Sequence, residues 1–368
     1  MQIVDVEAFH LRVPTVHEIA DGTQDILLVH VVTDEGIDGW GEVVSSAPVA
    51  RAVIEAPRSA SRRHGLAAIL RGSDPLDPPA RWLEMYDGTR WYGRGGVVMH
   101  AMSGVDQALW DVTAKAAGKS LSELWGRRHE RIRVYASVLF PDTAELTRTL
   151  AQDLREQGFT AMKFGYGPFG TDDALDGDLV AALVEGAGAG IEVMIDAGRP
   201  WSMPAAVRQA GNLLAKFNLG WIEEPLGEDD LTGYAELCAH APGVIAAGEA
   251  DADLPAFERL LAAGVKVVQP DVGRVGGLTV LREIGLAADR HGARAVTHSF
   301  GTGVQLAASL QWAATRADPL LEFPLTASPL LRELASLPEL RDGYVEVPDL
   351  AGIGAVVNTD LVTTYGVA

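Results

Sequence analysis

The sequence predicts an α/β protein built on a parallel (β/α) barrel that carries a smaller α+β domain. Its 368 residues are too many for one ordinary core, and they suit a barrel of about 200–250 residues plus a second domain. Between Arg133 and Phe323, strand-like and helix-like segments alternate, which is typical of parallel strands joined by crossover helices. In addition, six strand-like segments end in a carboxylate or an imidazole at nearly constant spacing.

These polar residues close short apolar stretches such as IEVMIDA and ARAVTHS, at intervals of 27, 26, 22, 27 and 24 residues. A period of about 25 residues accommodates one strand, one helix and two loops. Because the carboxyl ends of barrel strands meet at one mouth, we expect these side chains to converge there and to form an active site. In chain order they are Asp196, Glu223, Glu249, Asp271, His298 and Glu322.

The regions outside the barrel predict a capping domain. The first 50 residues show the alternation of antiparallel strands, and residues 52–127 are helical in pattern. The tail is strand-like again in GYVEVPDL, which we expect to pair with the N-terminal sheet. We therefore divide the chain into an α+β cap (1–127), a barrel (128–325) and a C-terminal segment returning to the cap (326–368).

Composition narrows the class of partner. The net charge of −20 disfavours nucleic acid and anionic membranes, and no apolar run approaches the roughly 20 residues that span a bilayer. A single cysteine excludes an intrachain disulfide framework, and the N-terminus does not resemble a signal peptide. We expect a cytoplasmic protein that acts on a small molecule.

Three acids at consecutive strand ends suit a divalent metal. Asp196, Glu223 and Glu249 offer the oxygen ligands that Mg²⁺ prefers. One acid alone would more often be a solvated carboxylate at a loop start, but three in register favour a site. Of the neighbours Glu223 and Glu224, only one can point into the barrel, because side chains alternate along a strand.

A general base is expected beside this metal. His298 and Asp271 end neighbouring strand-like segments, and a carboxylate that binds one imidazole nitrogen raises the basicity of the other. Lys163 ends the second strand-like segment of the barrel, so its ammonium faces the same mouth, where it can hold a substrate carboxylate or act as an acid.

The motifs that carry these residues resemble those of the enolase superfamily, in its mandelate racemase subgroup. The resemblance covers nearly the whole chain, through GWGE, SGVDQALWD, MIDAGRPW, WIEEP, QPDVGRVGG and THSFGTGVQLAA. It implies a modified (β/α)₇β TIM-type barrel under an α+β cap, and homo-oligomers are usual in the family. It also implies Mg²⁺ on Asp196, Glu223 and Glu249, a His298–Asp271 base and a substrate carboxylate hydrogen-bonded by Glu322.

One departure from the family bears on the reaction. Racemases of this family carry Lys-x-Lys on the second strand, with the second lysine as a base, whereas this chain reads Lys163-Phe164-Gly165. Ungapped counting makes Lys163 the first lysine, and a two-residue slip would make it the second. If Lys163 is the first lysine, His298 is the one remaining base, and Tyr166 is a candidate for the acid that protonates the leaving hydroxide. Two further departures are smaller. Gly198 stands where many relatives have Asn, and Arg274 stands where mandelate racemase has a lysine, so a positive charge is kept there.

The sequence therefore predicts a Mg²⁺-dependent acid-sugar dehydratase that gives a 2-keto-3-deoxy acid, with a lactone cycloisomerase as a close variant. A racemase or epimerase is the alternative if Lys163 is the second lysine. The Gly165–Gly170 match to a dinucleotide fingerprint is weak, because no helix begins at once after it. Substrate contacts are expected from two cap loops and from Arg274 and Tyr166; the cap candidates are His17, Glu18, Ser45, Ser46, Trp91, Tyr92 and Arg94.

Overall fold

The computed structural model describes residues 1–17, 21–198 and 201–367. Its N-terminal part opens with a three-stranded antiparallel sheet in the order β1-β2-β3, as the alternation predicts. Val6 and Ala8 are buried on one face, while Glu7 between them is exposed. The strands are β1 (Ile3–Arg12), β2 (Asp25–Thr33) and β3 (Asp38–Val43), with a 3-10 turn at Gly22–Gln24 before β2.

Helices cover the buried face of this sheet, and the longest of them, α4, lies directly on β3. The two come close because glycines face each other. A Cβ atom added at Gly41 would lie 2.0 Å from the carbonyl oxygen of Gly104. The cap helices are α1 (Ala47–Glu55), α2 (Leu66–Leu70), α3 (Pro78–Gly88), α4 (Val97–Ala116) and α5 (Leu121–Trp125).

Eight parallel strands with alternating helices follow, which confirms the predicted α/β class. The strands are β4 (Arg131–Leu139), β5 (Ala161–Gly165), β6 (Glu192–Asp196), β7 (Leu219–Glu223), β8 (Ile245–Ala247), β9 (Val267–Val268), β10 (Arg294–Ala295) and β11 (Leu321–Pro324). The helices between them are α6 (Ala144–Glu156), α7 (Asp173–Ala187), α8 (Met203–Lys216), α9 (Leu231–His240), α10 (Leu254–Ala262), α11 (Gly277–Arg290) and α12 (Gly303–Ala313).

The parallel strands are ordered β10-β9-β8-β7-β6-β5-β4-β11. A single parallel bridge between Asp271 and His298 continues the pairing of β9 and β10 toward the mouth. The two ends of the order, β10 and β11, are consecutive in the chain. Beyond β10, the Ser299 N–H donates to the Glu322 carboxylate on β11 at 2.7 Å, which draws the two ends of the sheet together.

The C-terminal segment corrects one prediction. Tyr344–Glu346, within GYVEVPDL, pairs antiparallel with Arg131–Arg133 of β4 and not with the N-terminal sheet. β4 is nine residues long, and its parallel ladders use only residues 134–139, so its first residues leave an edge free for this pairing. The chain reaches the cap later, where Gly366 bridges Leu11. The elements are α13 (Pro329–Glu333), β12 (Leu340–Arg341), β13 (Tyr344–Glu346) and α14 (Thr359–Tyr365).

A buried carboxylate joins the cap to the barrel. Glu42 on β3 is fully buried, and its oxygens accept from the Thr302 N–H at 2.9 Å, the Thr302 hydroxyl at 2.5 Å and the Gln305 N–H at 3.1 Å. Thr302 is the N-cap of α12 and Gln305 lies in its first turn, four and seven residues after His298 in the chain. Burial raises the pKa of Glu42 to about 7, although the three donors oppose the shift.

The contact between β3 and α4 predicts opposite effects for two glycine substitutions. Gly41→Ala places a methyl against the Gly104 carbonyl, and such overpacking costs about 1–3 kcal/mol or more. Gly177→Ala, inside α7 with no atom near its added Cβ, should instead stabilise by about 0.5–1 kcal/mol. Urea unfolding of both variants measures the difference, and a Gly41→Ala variant as stable as the parent would contradict this packing.

The pKa of Glu42 predicts how stability depends on pH. The folded state binds a proton on Glu42 up to about pH 7, whereas the unfolded chain releases it near pH 4.5, so this group's contribution to the free energy of unfolding falls as pH rises through that window. The loss is on the order of 3 kcal/mol. Glu42→Gln should lack it. Urea unfolding at pH 5 and pH 7.5 compares the two proteins, and equal pH dependence would refute the assignment.

Candidate functional site

Three strand ends bring three carboxylates together. Asp196 is the last residue of β6, Glu223 is the last residue of β7, and Glu249 follows β8 by two residues. One oxygen of each lies within 4.8 Å of an oxygen of the others, and all three side chains are buried. Glu223 rather than Glu224 joins this group. Glu224 is also buried, and it takes a left-handed backbone conformation with φ of 38° as the strand ends.

Lys163 of β5 lies among these acids. Its ammonium Nζ is 2.5 Å from Glu223 Oε1, 2.9 Å from Glu322 Oε1 and 3.9 Å from Asp196 Oδ2. Burial lowers its pKa, but the charges of Glu223 and Glu322 outweigh burial and hold that pKa well above its ordinary value. Lys163 is therefore a fixed cation at neutral pH.

The three carboxylates fit a divalent cation. Burial, together with the neighbouring charge of Glu223, raises the pKa of Asp196 well above its ordinary range. The negative charge of the three carboxylates is therefore not fully compensated by the neighbouring Lys163. All the donors are carboxylate oxygens, as a hard ion such as Mg²⁺ requires. Asp196, Glu223 and Glu249 would hold that ion.

Two residues that sequence reasoning missed fix the Glu223 carboxylate. Its Oε2 accepts from the Trp221 indole at 3.0 Å and from the Gln269 amide at 2.5 Å. Gln269 directly precedes the Pro-Asp of QPDVGRVGG. The sequence offered one signal for Gln269: it is an amide at the end of β9, the strand next to the one that Glu249 follows. Metal-ligating carboxylates need hydrogen-bond partners of this kind.

His298 and Asp271 form a hydrogen-bonded pair. His298 Nδ1 lies 2.7 Å from Asp271 Oδ2, while Asp271 Oδ1 accepts from the Gly273 N–H and the Gln305 amide, both at 2.7 Å. Gln305 was also missed from the sequence, although it lies in the quoted THSFGTGVQLAA motif. With both of its oxygens engaged, Asp271 has a fixed orientation, and the Nδ1–H tautomer of His298 leaves Nε2 as the basic atom.

The basic atom of His298 lies near one of the three carboxylates, Glu249. Nε2 is 3.6 Å from Glu249 Oε2. Burial lowers the pKa of His298, but the charge of Glu249 and the hydrogen bond to Asp271 outweigh it and raise that pKa to about 9. A dication on Glu249 would offset its charge and bring the pKa of His298 back toward the neutral range that a general base needs.

A cavity of about 370 Å³ opens over these groups. Glu322, Arg274 and Tyr166 line it, as do Lys163 and His298. The Arg274 guanidinium donates to the Glu249 carbonyl at 2.8 Å and lies 3.7 Å from Asp271 Oδ2. Seven of the nine residues predicted from the barrel strands and loops line this cavity, and the other two, Glu223 and Asp271, contact its lining residues Lys163 and His298.

Tyr166 lies across the cavity wall next to a departure noted in the sequence. Its hydroxyl is 3.5 Å from Glu249 Oε1, and a Cβ atom added at Gly198 would lie 3.1 Å from its ring. Gly198 therefore leaves room for the phenol ring. Just beyond Tyr166, the Gly170 N–H donates to the Asp176 carboxylate at 2.7 Å, so an acid occupies the donor that a dinucleotide phosphate would need.

Most of the predicted cap contacts lie elsewhere. Ser45 bonds His100 at 2.9 Å, and Ser46 precedes α1 as its exposed N-cap. Trp91, Tyr92 and Arg94 line a separate surface hollow. His17 borders a second chamber next to the cavity, and Glu18 lies outside the described residues.

The first cap loop instead contributes Asp21 to the cavity, a residue that sequence reasoning did not select. Phe300 also lines the cavity, and its ring stacks on His298 with centroids 6.3 Å apart.

No helix in the described ranges is long and apolar enough to cross a membrane.

Comparison with known proteins agrees with this geometry. Residues 3–126 match the family described as mandelate racemase / muconate lactonizing enzyme, N-terminal domain, and residues 145–361 match the enolase C-terminal domain-like family. A D-galactarolactone cycloisomerase of Agrobacterium fabrum is 33% identical over 92% of this chain and 90% of its own length. An L-talarate/galactarate dehydratase of Salmonella typhimurium is 30% identical over 89% of this chain and 79% of its own length.

Among solved structures, the 3,6-anhydro-D-galactonate cycloisomerase from Zobellia galactanivorans superposes with a TM-score of 0.90, at 28% identity and with both chains fully covered. The family matches span the cap and most of the barrel, and the buried acids lie at the barrel mouth. The chain belongs to the mandelate racemase/muconate lactonizing enzyme family of the enolase superfamily.

Proposed function

We propose that this enzyme catalyses Mg²⁺-dependent β-elimination from a sugar acid, as an acid-sugar dehydratase that gives a 2-keto-3-deoxy acid. The observation that carries the proposal is one imidazole, His298, which is held by Asp271 at Nδ1 and whose Nε2 lies 3.6 Å from Glu249, one of three clustered and buried carboxylates. When bound, Mg²⁺ supplies positive charge against the negative charge that develops on the substrate carboxylate as its α-proton leaves.

The residues of the chain divide the remaining work. Nε2 of His298 takes the α-proton, and Asp271 holds the ring and stabilises the imidazolium that forms. Lys163 and Arg274 place two cations on the cavity wall for the substrate's oxygens. Glu322 pairs with the Lys163 ammonium and accepts a hydrogen bond from the Ser299 N–H. Glu322 can accept a further hydrogen bond from the substrate carboxylate only while the substrate carboxylate carries a proton.

One base favours elimination over racemisation. Racemisation by two bases needs a second acceptor on the opposite face of the substrate, and Gly165 offers no side chain there. A Cβ atom at position 165 would lie 2.6 Å from Asp196 Cβ, so a lysine would also displace a metal ligand. The Lys163 ammonium lies 2.9 Å from Glu322 and also contacts Glu223, an arrangement that suits a carboxylate-binding cation better than a base.

The leaving group decides which further residue is needed. Hydroxide is a poor leaving group, so dehydration needs a proton, which His298 can return if hydroxide leaves from the face that lost the α-proton. Tyr166 is the other candidate acid, because its hydroxyl lies at the cavity wall. In the first route the α-proton itself leaves in the water. In the second, the water carries the Tyr166 proton, and His298 and Tyr166 exchange protons with solvent before the next turnover.

A lactone cycloisomerase is the second candidate function. It is supported by the 33% identity to D-galactarolactone cycloisomerase and by the likeness to the anhydrogalactonate enzyme. The first half of the reaction is the same. The bond that breaks at the β-carbon is then a ring C–O bond, and the departing ester oxygen leaves as a carboxylate that needs no acid.

Removing one predicted ligand tests the metal site. Asp196→Asn should weaken Mg²⁺ binding by at least about 100-fold. Removing a residue that only hydrogen-bonds a metal ligand already lowers metal affinity by about 10–100-fold, and Asp196 is a predicted ligand itself. Isothermal titration calorimetry measures the affinity. Asp142→Asn, which removes an exposed acid beyond β4, is the matched control for net charge. Unchanged Mg²⁺ affinity in Asp196→Asn would end the assignment.

Removing the imidazole tests the base. His298→Asn should slow exchange of the substrate α-proton with D₂O by about 10²–10⁴-fold, the usual contribution of a general base. Proton NMR with D-galactarolactone and galactarate follows exchange and product together, and retained Mg²⁺ binding shows that the variant is folded. Exchange at the parent rate would reject His298, and inversion at C2 without elimination would identify a racemase.

A further inference from the structure

Helix α11, which follows the strand that leads to Asp271, begins without a capping side chain of its own. Its N-cap position is Gly276, which has no side chain to accept from the first turn. Other barrel helices take a cap from the residue directly before them, among them Thr143, Asp172, Asp230 and Asp253. The first N–H groups of a helix have no partner within it, so α11 needs an acceptor from elsewhere.

The capping domain provides that acceptor from α4. One oxygen of Asp106 accepts from the Thr279 N–H at 2.8 Å, and the other accepts from the Thr279 hydroxyl at 2.6 Å. Thr279 is the third residue of α11, a position whose N–H an N-cap side chain ordinarily binds. The fit is close, because a Cβ atom added at Gly277 would lie 2.6 Å from Asp106 Cβ. The fully buried Asp106 therefore caps a helix of the other domain.

The same cap helix also holds the loop that precedes α11 (residues 272–276). Ser103 Oγ accepts from the Gly276 N–H at 2.8 Å, at the end of this loop. The Gln107 amide donates to the Val272 carbonyl at 3.1 Å, at its beginning. Backbone groups at both ends of the loop thus depend on α4 for their hydrogen bonds.

This loop determines where two groups of the site lie. Asp271 directly precedes it, and the Gly273 N–H within it donates to Asp271 Oδ1 at 2.7 Å. Arg274, also in the loop, lines the cavity. Asp271 in turn orients His298, whose Nδ1 lies 2.7 Å from Asp271 Oδ2. A loop displaced from α4 would therefore carry Asp271 out of line with the imidazole.

We propose that Asp106 is a positioning residue for the base: by capping α11 it keeps the loop docked on the cap and keeps Asp271 in line with His298. This inference rests on the proposed function, because it takes His298 as the base. The described lining of the cavity does not include Asp106, so its effect passes through the loop and not through a contact with substrate. Like Glu42, Asp106 ties the cap to the start of a barrel helix that follows a member of the dyad.

Removing the acceptor and then restoring it tests the inference. Asp106→Ala leaves the Thr279 N–H without its partner, and we expect kcat for α-proton exchange to fall by about 10–100-fold with KM nearly unchanged, the effect of a displaced catalytic group. Asp106→Asn keeps one oxygen for that N–H and should recover most of the loss. Proton NMR in D₂O with saturating Mg²⁺ and galactarate or D-galactarolactone measures exchange. Burial raises the pKa of Asp106 to about 7, so measurement at about pH 8 keeps the carboxylate ionised.

Asp111→Ala is the matched control, because it removes another buried carboxylate from the same helix. Asp111 accepts from the Trp40 N–H at 3.0 Å and from the Ile353 N–H at 2.8 Å, not from the loop or from α11. Both alanine variants should lower the urea midpoint of unfolding, but only Asp106→Ala should lower kcat. Equal losses of kcat in the two alanine variants would overturn the positioning role. A loss in Asp106→Asn as large as in Asp106→Ala would overturn the capping role.

A milder pair of variants covers the case in which Asp106→Ala does not fold. Thr279→Val removes the hydroxyl that donates to Asp106 and keeps the N–H, whereas Thr279→Ser keeps both groups. We expect kcat of Thr279→Val to lie at least about threefold below that of Thr279→Ser. Equal kcat in these two variants would contradict the role of Asp106.

A signal that needs no substrate separates this inference from the proposed function. The Nδ1 proton of His298, hydrogen-bonded to Asp271, should resonate far downfield, and His298→Asn identifies it by its loss. We expect the signal in the parent and in Asp111→Ala, and its loss or upfield shift in Asp106→Ala. An unchanged signal in Asp106→Ala would overturn the inference. Absence of α-proton exchange in the parent would count against the proposed function, and the signal would still decide the role of Asp106.

Discussion

Buried negative charge at the barrel mouth is the constraint on which the site depends. Asp196, Glu223 and Glu249 lie at the ends of the neighbouring strands β6, β7 and β8, and Glu322 lies on β11. Within the described ranges the Lys163 ammonium is the cation that contacts three of these four acids. Removing several like charges from water is costly unless cations accompany them. The raised pKa of Asp196 shows that one lysine is not enough. The same arrangement that makes the mouth costly to fold suits it to a divalent cation, and the nearby carboxylates favour the protonated form of Lys163.

The base depends on the cap through a short chain of hydrogen bonds. Glu42 of β3 holds the first turn of α12, Gln305 from that turn holds Asp271, and Asp271 holds His298. Each member is buried, so each bond is made in a low-dielectric interior where losing a partner is expensive. The orientation of the imidazole is therefore set in part by a residue of the other domain. In this fold the cap does more than cover the mouth, because Glu42 contributes through Gln305 to the geometry of the His298–Asp271 pair.

The strand-end residues were predictable because the period of a (β/α) unit and the direction of parallel strands fix where they must meet. Residues such as Gln269 and Gln305 were harder to find, because amides inside apolar motifs carry no periodic signal. Asp21 was beyond sequence reasoning, since its position depends on a turn anchored by Ser328 more than 300 residues later. The tail was misassigned for a related reason. The alternation in GYVEVPDL specifies a strand but not its partner, and the free edge was created by the unusual length of β4.

Two glycines distinguish the mouth of this barrel from the pattern of the racemases it resembles. At position 165 the missing side chain lets the Asp196 carboxylate lie where a lysine stem would pass. At position 198 the missing side chain lets the Tyr166 ring lie flat against the backbone, with its hydroxyl near Glu249. The two changes are complementary, since the first removes a base from one face of the substrate and the second makes room for a phenol at the same wall. In the proposed reaction His298 would act as the base and Tyr166 as a candidate acid for breaking the β C–O bond, and position 165 offers no side chain for a second base.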